Sequence, residues 1–137
     1  MPVAKFYSSG CALETEVVKT FLDRASDLYA HILECPKDRV RVYFFPIDSE
    51  SVAIEGTVPG PASFFFEFIV LEGRSLEQRQ QIARSFCDLV ASVFNVDAQK
   101  VRGHCIRVQP EDWCIGGQFA SDLRKKEIEA RKNQPKR

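Results

Sequence analysis

Phe64-Phe65-Phe66-Glu67-Phe68-Ile69-Val70-Leu71-Glu72-Gly73-Arg74-Ser75-Leu76-Glu77-Gln78 is the stretch from which the fold is read. Residues 64–71 are almost all apolar, as in a strand of a covered sheet. Gly73 turns the chain, and Ser75 followed by Gln78 fits a capping box at a helix start. Ile82, Phe86, Leu89, Val90, Val93 and Phe94 then mark one buried helical face. Residues 100–108 read as a second strand, which completes a β-α-β unit. The preceding half has the same order. Residues 3–7 make a short β-type run. A helix is predicted over about residues 13–33, with Val18, Phe21, Leu22, Ala25, Leu28, Tyr29 and Ile32 on its apolar face. Pro36 limits that helix. Residues 39–45 alternate Arg39, Arg41 and Tyr43 against Val40, Val42 and Phe44, the period of a strand. Pro59-Gly60-Pro61 marks a turn or linker between the halves.

The halves share an internal repeat. Val40-Arg41-Val42 matches Val101-Arg102-Gly103, and Ile54-Glu55-Gly56 matches Ile115-Gly116-Gly117, both 61 residues apart. A parallel β-α-β crossover is right-handed and lays its helix on one face of the sheet. Two such units, residues 2–58 and 64–126, predict an α+β fold of α/β-type units: a four-stranded sheet with two helices on one face. The other face is then bare and rich in Phe, Val and Ile, which argues for burial against other subunits. A chain of 137 residues suits a single domain, residues 1–137.

Hydrophobic residues make up 45% of the chain, so a packed core is expected rather than disorder. The 19 basic and 19 acidic residues balance, so no overall field steers the chain onto nucleic acid or an anionic membrane. No run approaches the roughly 20 apolar residues of a membrane span, and the amino terminus lacks a signal peptide's apolar stretch. Five cysteines with no CxxC pair point to reduced thiols and a cytoplasmic location rather than a disulfide framework or zinc site. Residues 124–137 carry seven basic residues against Glu127 and Glu129. This tail reads as a solvated, frayed terminus, or as a helix with Glu127 and Arg131 paired at four-residue spacing; a contact with an anionic partner is the sharper alternative.

Leu71-Glu72-Gly73-Arg74-Ser75, Glu77-Gln78, Val101-Arg102 and Ile115-Gly116-Gly117 with Ala120-Ser121 resemble 4-oxalocrotonate tautomerase. The similarity runs from about residue 64 to 126 without gaps. Residues 2–56 are more weakly similar to the same unit, so the whole chain resembles a fused, two-unit member of the tautomerase superfamily. The resemblance implies a mixed sheet of tautomerase/MIF-like type, a homotrimer and a cofactor-independent reaction with no metal. It also implies an amino-terminal proline, Pro2, exposed by loss of Met1 and acting as general base. A free amine titrates at roughly 8. Burial and neighbouring cations disfavour its protonated form, which brings its pKa towards working pH. With Met1 in place the nitrogen is an amide and this role is lost.

The same resemblance gives Arg74 the binding of a substrate carboxylate, which a planar guanidinium fork suits. It gives Arg102 the polarisation of a keto or enol oxygen, and Trp113 the apolar wall that keeps the amine's pKa low. The plain alternatives are a charge at the start of a helix for Arg74, an exposed strand residue for Arg102 and core packing for Trp113. The halves differ: Ala12 lies near the counterpart of Arg74, Val52 stands for Trp113, and Phe64 stands for Pro2. One complete site per chain is therefore expected, made of Pro2, Arg74, Arg102 and Trp113. Arg41 either supports that site across a subunit boundary or faces solvent.

His31 and His104 have no paired metal ligands and read as structural or solvated. Cys114 has no evident partner base. Glu111 and Asp112 read as loop acids. The expected reaction is keto–enol or double-bond isomerisation of a small 2-keto or 2-hydroxy-enoic acid. The alternatives are hydration, dehalogenation or decarboxylation on the same fold, or a non-catalytic trimeric binding protein. The family's dehalogenases carry a glutamate where this chain has Ile115 and an arginine where it has Leu71, so both positions count against dehalogenation.

Overall fold

The apolar run around Phe66 forms strand β3 (Ser63–Leu71) at the centre of the molecule. A computed structural model describes residues 2–11 and 13–134. Met1, Ala12 and residues 135–137 lie outside the described residues, as do the expectations that fall on them. Side chains in β3 alternate: Phe64, Phe66, Phe68 and Val70 are buried on one face, while Phe65 faces outward. The strand pairs antiparallel with β1 (Val3–Ser9), and Phe6 sits opposite Phe66. Helix α1 (Thr15–Leu33) leads from β1 to β2 (Arg41–Ile47), which pairs parallel with β1. Helix α2 (Leu76–Phe94) leads from β3 to β4 (Val101–Val108), which pairs parallel with β3. The result is the expected mixed four-stranded sheet, in the order β2-β1-β3-β4.

Both helices cover the face that carries Phe6. The Phe6 ring meets Phe21 of α1 at 4.8 Å and Phe86 of α2 at 5.0 Å, both edge to face. Such edge contacts suit the aromatic quadrupole. They join Tyr29, Ile82 and Val90 in one fully buried core.

The repeat holds in backbone detail. Each long helix has 19 residues and ends on a left-handed residue, Glu34 (φ 54°) or Asn95 (φ 55°). These positions are 61 apart, like the helix starts. The strand registers are offset by 62 instead: Val3 faces Arg41 while Phe65 faces Arg102. One residue is therefore gained or lost between strand and helix. This places Phe64 opposite Pro2 in the repeat but makes Leu13, rather than Ala12, the counterpart of Arg74.

Several boundaries differ from the sequence expectation. Strand β2 starts at Arg41 because Lys37–Arg39 form a 3-10 turn, closed by the Val40 N–H donating to Lys37 O at 3.0 Å. Ser75 caps α2 as expected, its Oγ accepting from Gln78 N at 3.1 Å. A small ribbon of β5 (Cys114–Ile115) and β6 (Gln118–Phe119) was not foreseen. It turns through Gly116 (φ 57°) and Gly117 (φ 86°), backbone conformations that glycine adopts without a Cβ penalty. Two short helices follow, α3 (Ala120–Leu123) and α4 (Lys125–Lys132). In place of the Glu127–Arg131 pair, Glu127 pairs with Arg39, 88 residues away, at 3.0 Å and with Arg124, three residues before it, at 3.7 Å. The tail is thus pinned back onto the body through residue 132.

The sheet's second face carries no helix. It mixes the expected apolar residues, among them Val3, Ile47, Ile69, Ile106 and Val108, with aromatic and charged ones. Tyr7 stacks on Phe45 at 4.9 Å, and Phe65 stacks on His104 at 5.8 Å. Tyr43, Phe45 and Phe65 remain 49%, 39% and 41% exposed. Arg41 and Arg102 lie among them.

Candidate active site

Pro2 is buried at the start of β1, and its carbonyl accepts the Arg41 N–H at 2.9 Å. Because β1 runs between β2 and β3, Pro2 lies beside the end of β3, where Ile69, Val70 and Leu71 form an apolar wall. The Tyr29 hydroxyl reaches in from α1 and bonds the carbonyls of Val3, at 3.3 Å, and Ile69, which locks the two strands together below this point. Above the wall opens a small cavity, about 40 Å³ of enclosed space. Leu33, Cys35 and Trp113 complete its apolar lining.

Arg74 reaches the cavity from the turn before α2, and its Nη1 donates to Leu33 O at 2.8 Å. Gln78 Nε2 similarly donates to Ile32 O at 3.1 Å. Both bonds satisfy carbonyls left open at the end of α1, where the helix dipole also favours a cation. Trp113 is held by the β5–β6 ribbon: its carbonyl accepts the Ala120 N–H at 3.0 Å. The cavity's remaining charged groups are Arg39, Arg124, Glu127 and Arg131. Glu127 accepts two bonds from Arg39 Nη1, at 3.0 and 3.1 Å. The Nε of Arg124 is buried without a hydrogen-bond partner, with Glu127 Oε2 3.7 Å away.

Four guanidiniums against one carboxylate make this an anion-seeking cavity. Burial pushes the Arg74 guanidinium down to about 10, with Arg131 pushing the same way, so it stays cationic at neutral pH. Burial also lowers Arg131. The Cys35 thiol is raised by burial and is therefore protonated at neutral pH, which makes it a poor nucleophile. Among the described residues no group of three His, Cys, Asp or Glu side chains could hold a metal ion, and no helix is long and apolar enough to cross a membrane.

Of the residues singled out in the sequence, the cavity brings together Pro2, Arg74 and Trp113, from three separate segments. Arg102 is not among them. It projects from the start of β4, with Nη1 donating to Gln99 O at 2.6 Å and Val101 O at 3.1 Å. Arg41 is its structural twin, bonded to Asp38 O at 2.8 Å and Val40 O at 3.1 Å. Both stand on the helix-free face. Phe64 and Val52 do not line the cavity, and Leu13 is exposed. Sequence reasoning missed Arg39, Arg124, Glu127 and Arg131. For Arg124, Glu127 and Arg131 the one signal was the charge density of the tail, and no local periodicity carries a tail to the start of β1; Arg39 was read only as a strand residue. His31 and Cys114 are exposed, and His104 lies 3.6 Å from Glu67 Oε1.

No protein-family model matches the sequence, and no curated protein matches it significantly. Solved structures do match in shape. One, described as Pt0534 inactivated by 2-oxo-3-pentynoate, is 20% identical with a TM-score of 0.82, over 88% of this chain and 98% of its own. A fused 4-OT symmetric trimer is 16% identical with a TM-score of 0.81, over 88% and 98%. Macrophage migration inhibitory factor of Toxoplasma gondii is 14% identical with a TM-score of 0.73, over 85% and 98%. The fold is therefore the tautomerase/MIF-like fold, and the neighbours agree with the tautomerase resemblance of the sequence.

Proposed function

We propose that this chain is a cofactor-independent tautomerase or isomerase of a small 2-keto or 2-hydroxy-enoic acid, with the free amine of Pro2 as general base. The observation that carries the reading is the meeting of Pro2, Arg74 and Trp113 in one cationic cavity of this fold. Arg74 holds the substrate carboxylate, keeping N–H donors in reserve beyond the one given to Leu33. Pro2 takes a proton from the substrate's hydroxyl or carbon and returns it to another carbon. The positive surroundings disfavour a second cation at Pro2, so the amine is held as a base. Trp113 and the apolar wall keep water away from the transferred proton.

Arg102 stabilises the enolate oxygen in this reading. Its place on the helix-free face supports a role in the cavity of a neighbouring copy, within a homotrimer joined through those faces. Arg41 occupies the equivalent place in the first half and supports the site in the same way. Trimers of fused 4-OT among the structural neighbours support such an assembly. The five unpaired cysteines fit a reducing, cytoplasmic setting.

The test is to mix protein of confirmed native amino terminus with a conjugated 2-hydroxy-dienoic acid or an aryl enol pyruvate and follow the ultraviolet change. Ketonisation well above background that disappears in Pro2→Ala supports the reading. No turnover, with intact mass confirming loss of Met1, overturns it.

A further inference from the structure

We infer that Arg131, on the carboxy-terminal helix α4, is the second arm of a two-guanidinium clamp that binds the substrate carboxylate together with Arg74. The inference deepens the proposed function and rests on it for the identity of the anion. Arg131 lies beyond the stretch that resembles the family, so nothing in that resemblance assigns it.

Arg131 lacks the ion-pair partner that its own helix offers. Glu127 sits four residues earlier on the same helix, the spacing at which a glutamate pairs with an arginine. Yet Glu127 directs both oxygens to Arg39, at 3.0 and 3.1 Å, and faces Arg124 at 3.7 Å, so Arg131 feels its charge without an ion pair. No ion pair to Arg131 is formed among the described residues. Arg131 and Arg74 are both half-buried and line the same cavity, and the charge of Arg131 disfavours that of Arg74. Two partly desolvated cations side by side are unfavourable until an anion comes between them. A carboxylate has two oxygens and about four acceptor sites, enough for two guanidiniums at once.

The Arg39–Glu127–Arg124 cluster has a separate task. It ties α4 to the turn before β2 and so delivers Arg131 to the cavity mouth. Glu127 spends its hydrogen bonds and close contacts on Arg39 and Arg124, offsetting one of the four positive charges, and leaves Arg74 and Arg131 without an ion pair among the described residues. In this arrangement Glu127 is a positioning residue and Arg131 a binding one.

The test measures equilibrium binding of an aryl 2-keto acid by calorimetry, alongside turnover. The proteins are full-length wild type, Arg74→Ala, Arg131→Ala, Arg131→Met (which keeps an apolar stem) and Lys132→Ala, an exposed cation on the same helix, each checked for folding by circular dichroism. Losing one charge-assisted contact corresponds to about 10-fold weaker binding or more. The inference predicts that loss for Arg74→Ala, Arg131→Ala and Arg131→Met, with Lys132→Ala close to wild type. Wild-type binding in both folded Arg131 variants, or an equal loss in Lys132→Ala, overturns the clamp. Arg131-dependent binding without turnover sinks the isomerase reading and leaves the clamp standing. Turnover that both Arg131 variants leave untouched does the reverse, and absence of binding by the wild type removes both.

Discussion

Exchanging one packed pair between the two repeats tests how the halves came to differ. In the first unit Ala4 lies beside Val42; at the corresponding register of the second, Phe66 lies beside Gly103. Large and small have changed places. A Cβ added to Gly103 would stand 2.3 Å from Phe66 Cζ, far inside van der Waals contact. The ring has nowhere to go: Phe66 is 3% exposed, with Phe6 at 5.6 Å, Phe86 at 5.8 Å and Phe68 at 6.3 Å. Overpacking of this kind costs about 1–3 kcal/mol, against a gain of about 0.4–1 kcal/mol from restricting the unfolded chain at a glycine. Gly103→Ala is therefore expected to lose about 1–2 kcal/mol. Phe66→Ala opens a core cavity and loses about 3–5 kcal/mol. The double variant Phe66→Ala/Gly103→Val copies the first unit and fills part of that gap, so its loss falls short of the combined losses of Phe66→Ala and Gly103→Val, each measured singly, by about 1–3 kcal/mol. Urea unfolding at one fixed protein concentration is the assay, which keeps any concentration-dependent association term constant. A Gly103→Ala protein as stable as wild type, or a cycle additive within about 0.5 kcal/mol, would refute the packing argument.

Ser75→Ala removes the bond to Gln78 N that starts α2 and is expected to cost about 1 kcal/mol, read as a fall of about 4 °C in the thermal midpoint for a chain of this length; an unchanged midpoint would contradict the cap. Cys35 reacts as thiolate only, and burial raises its pKa, so alkylation at neutral pH is slow and accelerates only above the ordinary thiol range. Mass-resolved labelling with iodoacetamide checks this: exposed Cys114 is modified first, and a bound aryl 2-keto acid protects Cys35 further. Cys35 labelling as fast as Cys114, or unaffected by the ligand, would remove Cys35 from the cavity.

The fold was legible because its information is local and written twice. The run around Phe66, the Ser75 cap and the helical spacing of Phe21, Ala25 and Tyr29 each specify an element without reference to distant residues. The 61-residue repeat then joins those elements into one topology. Strand starts were misjudged by one or two positions because Lys37–Arg39 and Ala98–Lys100 close 3-10 turns, which hydrophobic alternation does not register. Pro2, Arg74 and Trp113 were singled out from the family resemblance and meet in one cavity. Arg39, Arg124, Glu127 and Arg131 were not, since their roles depend on how the tail folds back, a tertiary event decided by ion pairs spanning up to 88 residues. Arg102 shows the opposite case: its type and strand position are evident in the sequence, but it stands on the helix-free face and does not line the cavity.

The most direct test of the central claim is a pH titration of protein labelled with 15N-proline and confirmed by mass to begin at Pro2. Of the seven prolines in the chain, only a terminal one carries a titrating amine. The account predicts a single titrating nitrogen with a midpoint clearly below the ordinary α-amine value of roughly 8, matching the acid limb of kcat/KM, since the unprotonated amine is the active base. A midpoint at or above that value, or an acid limb that moves independently of it, would contradict Pro2 as the working base.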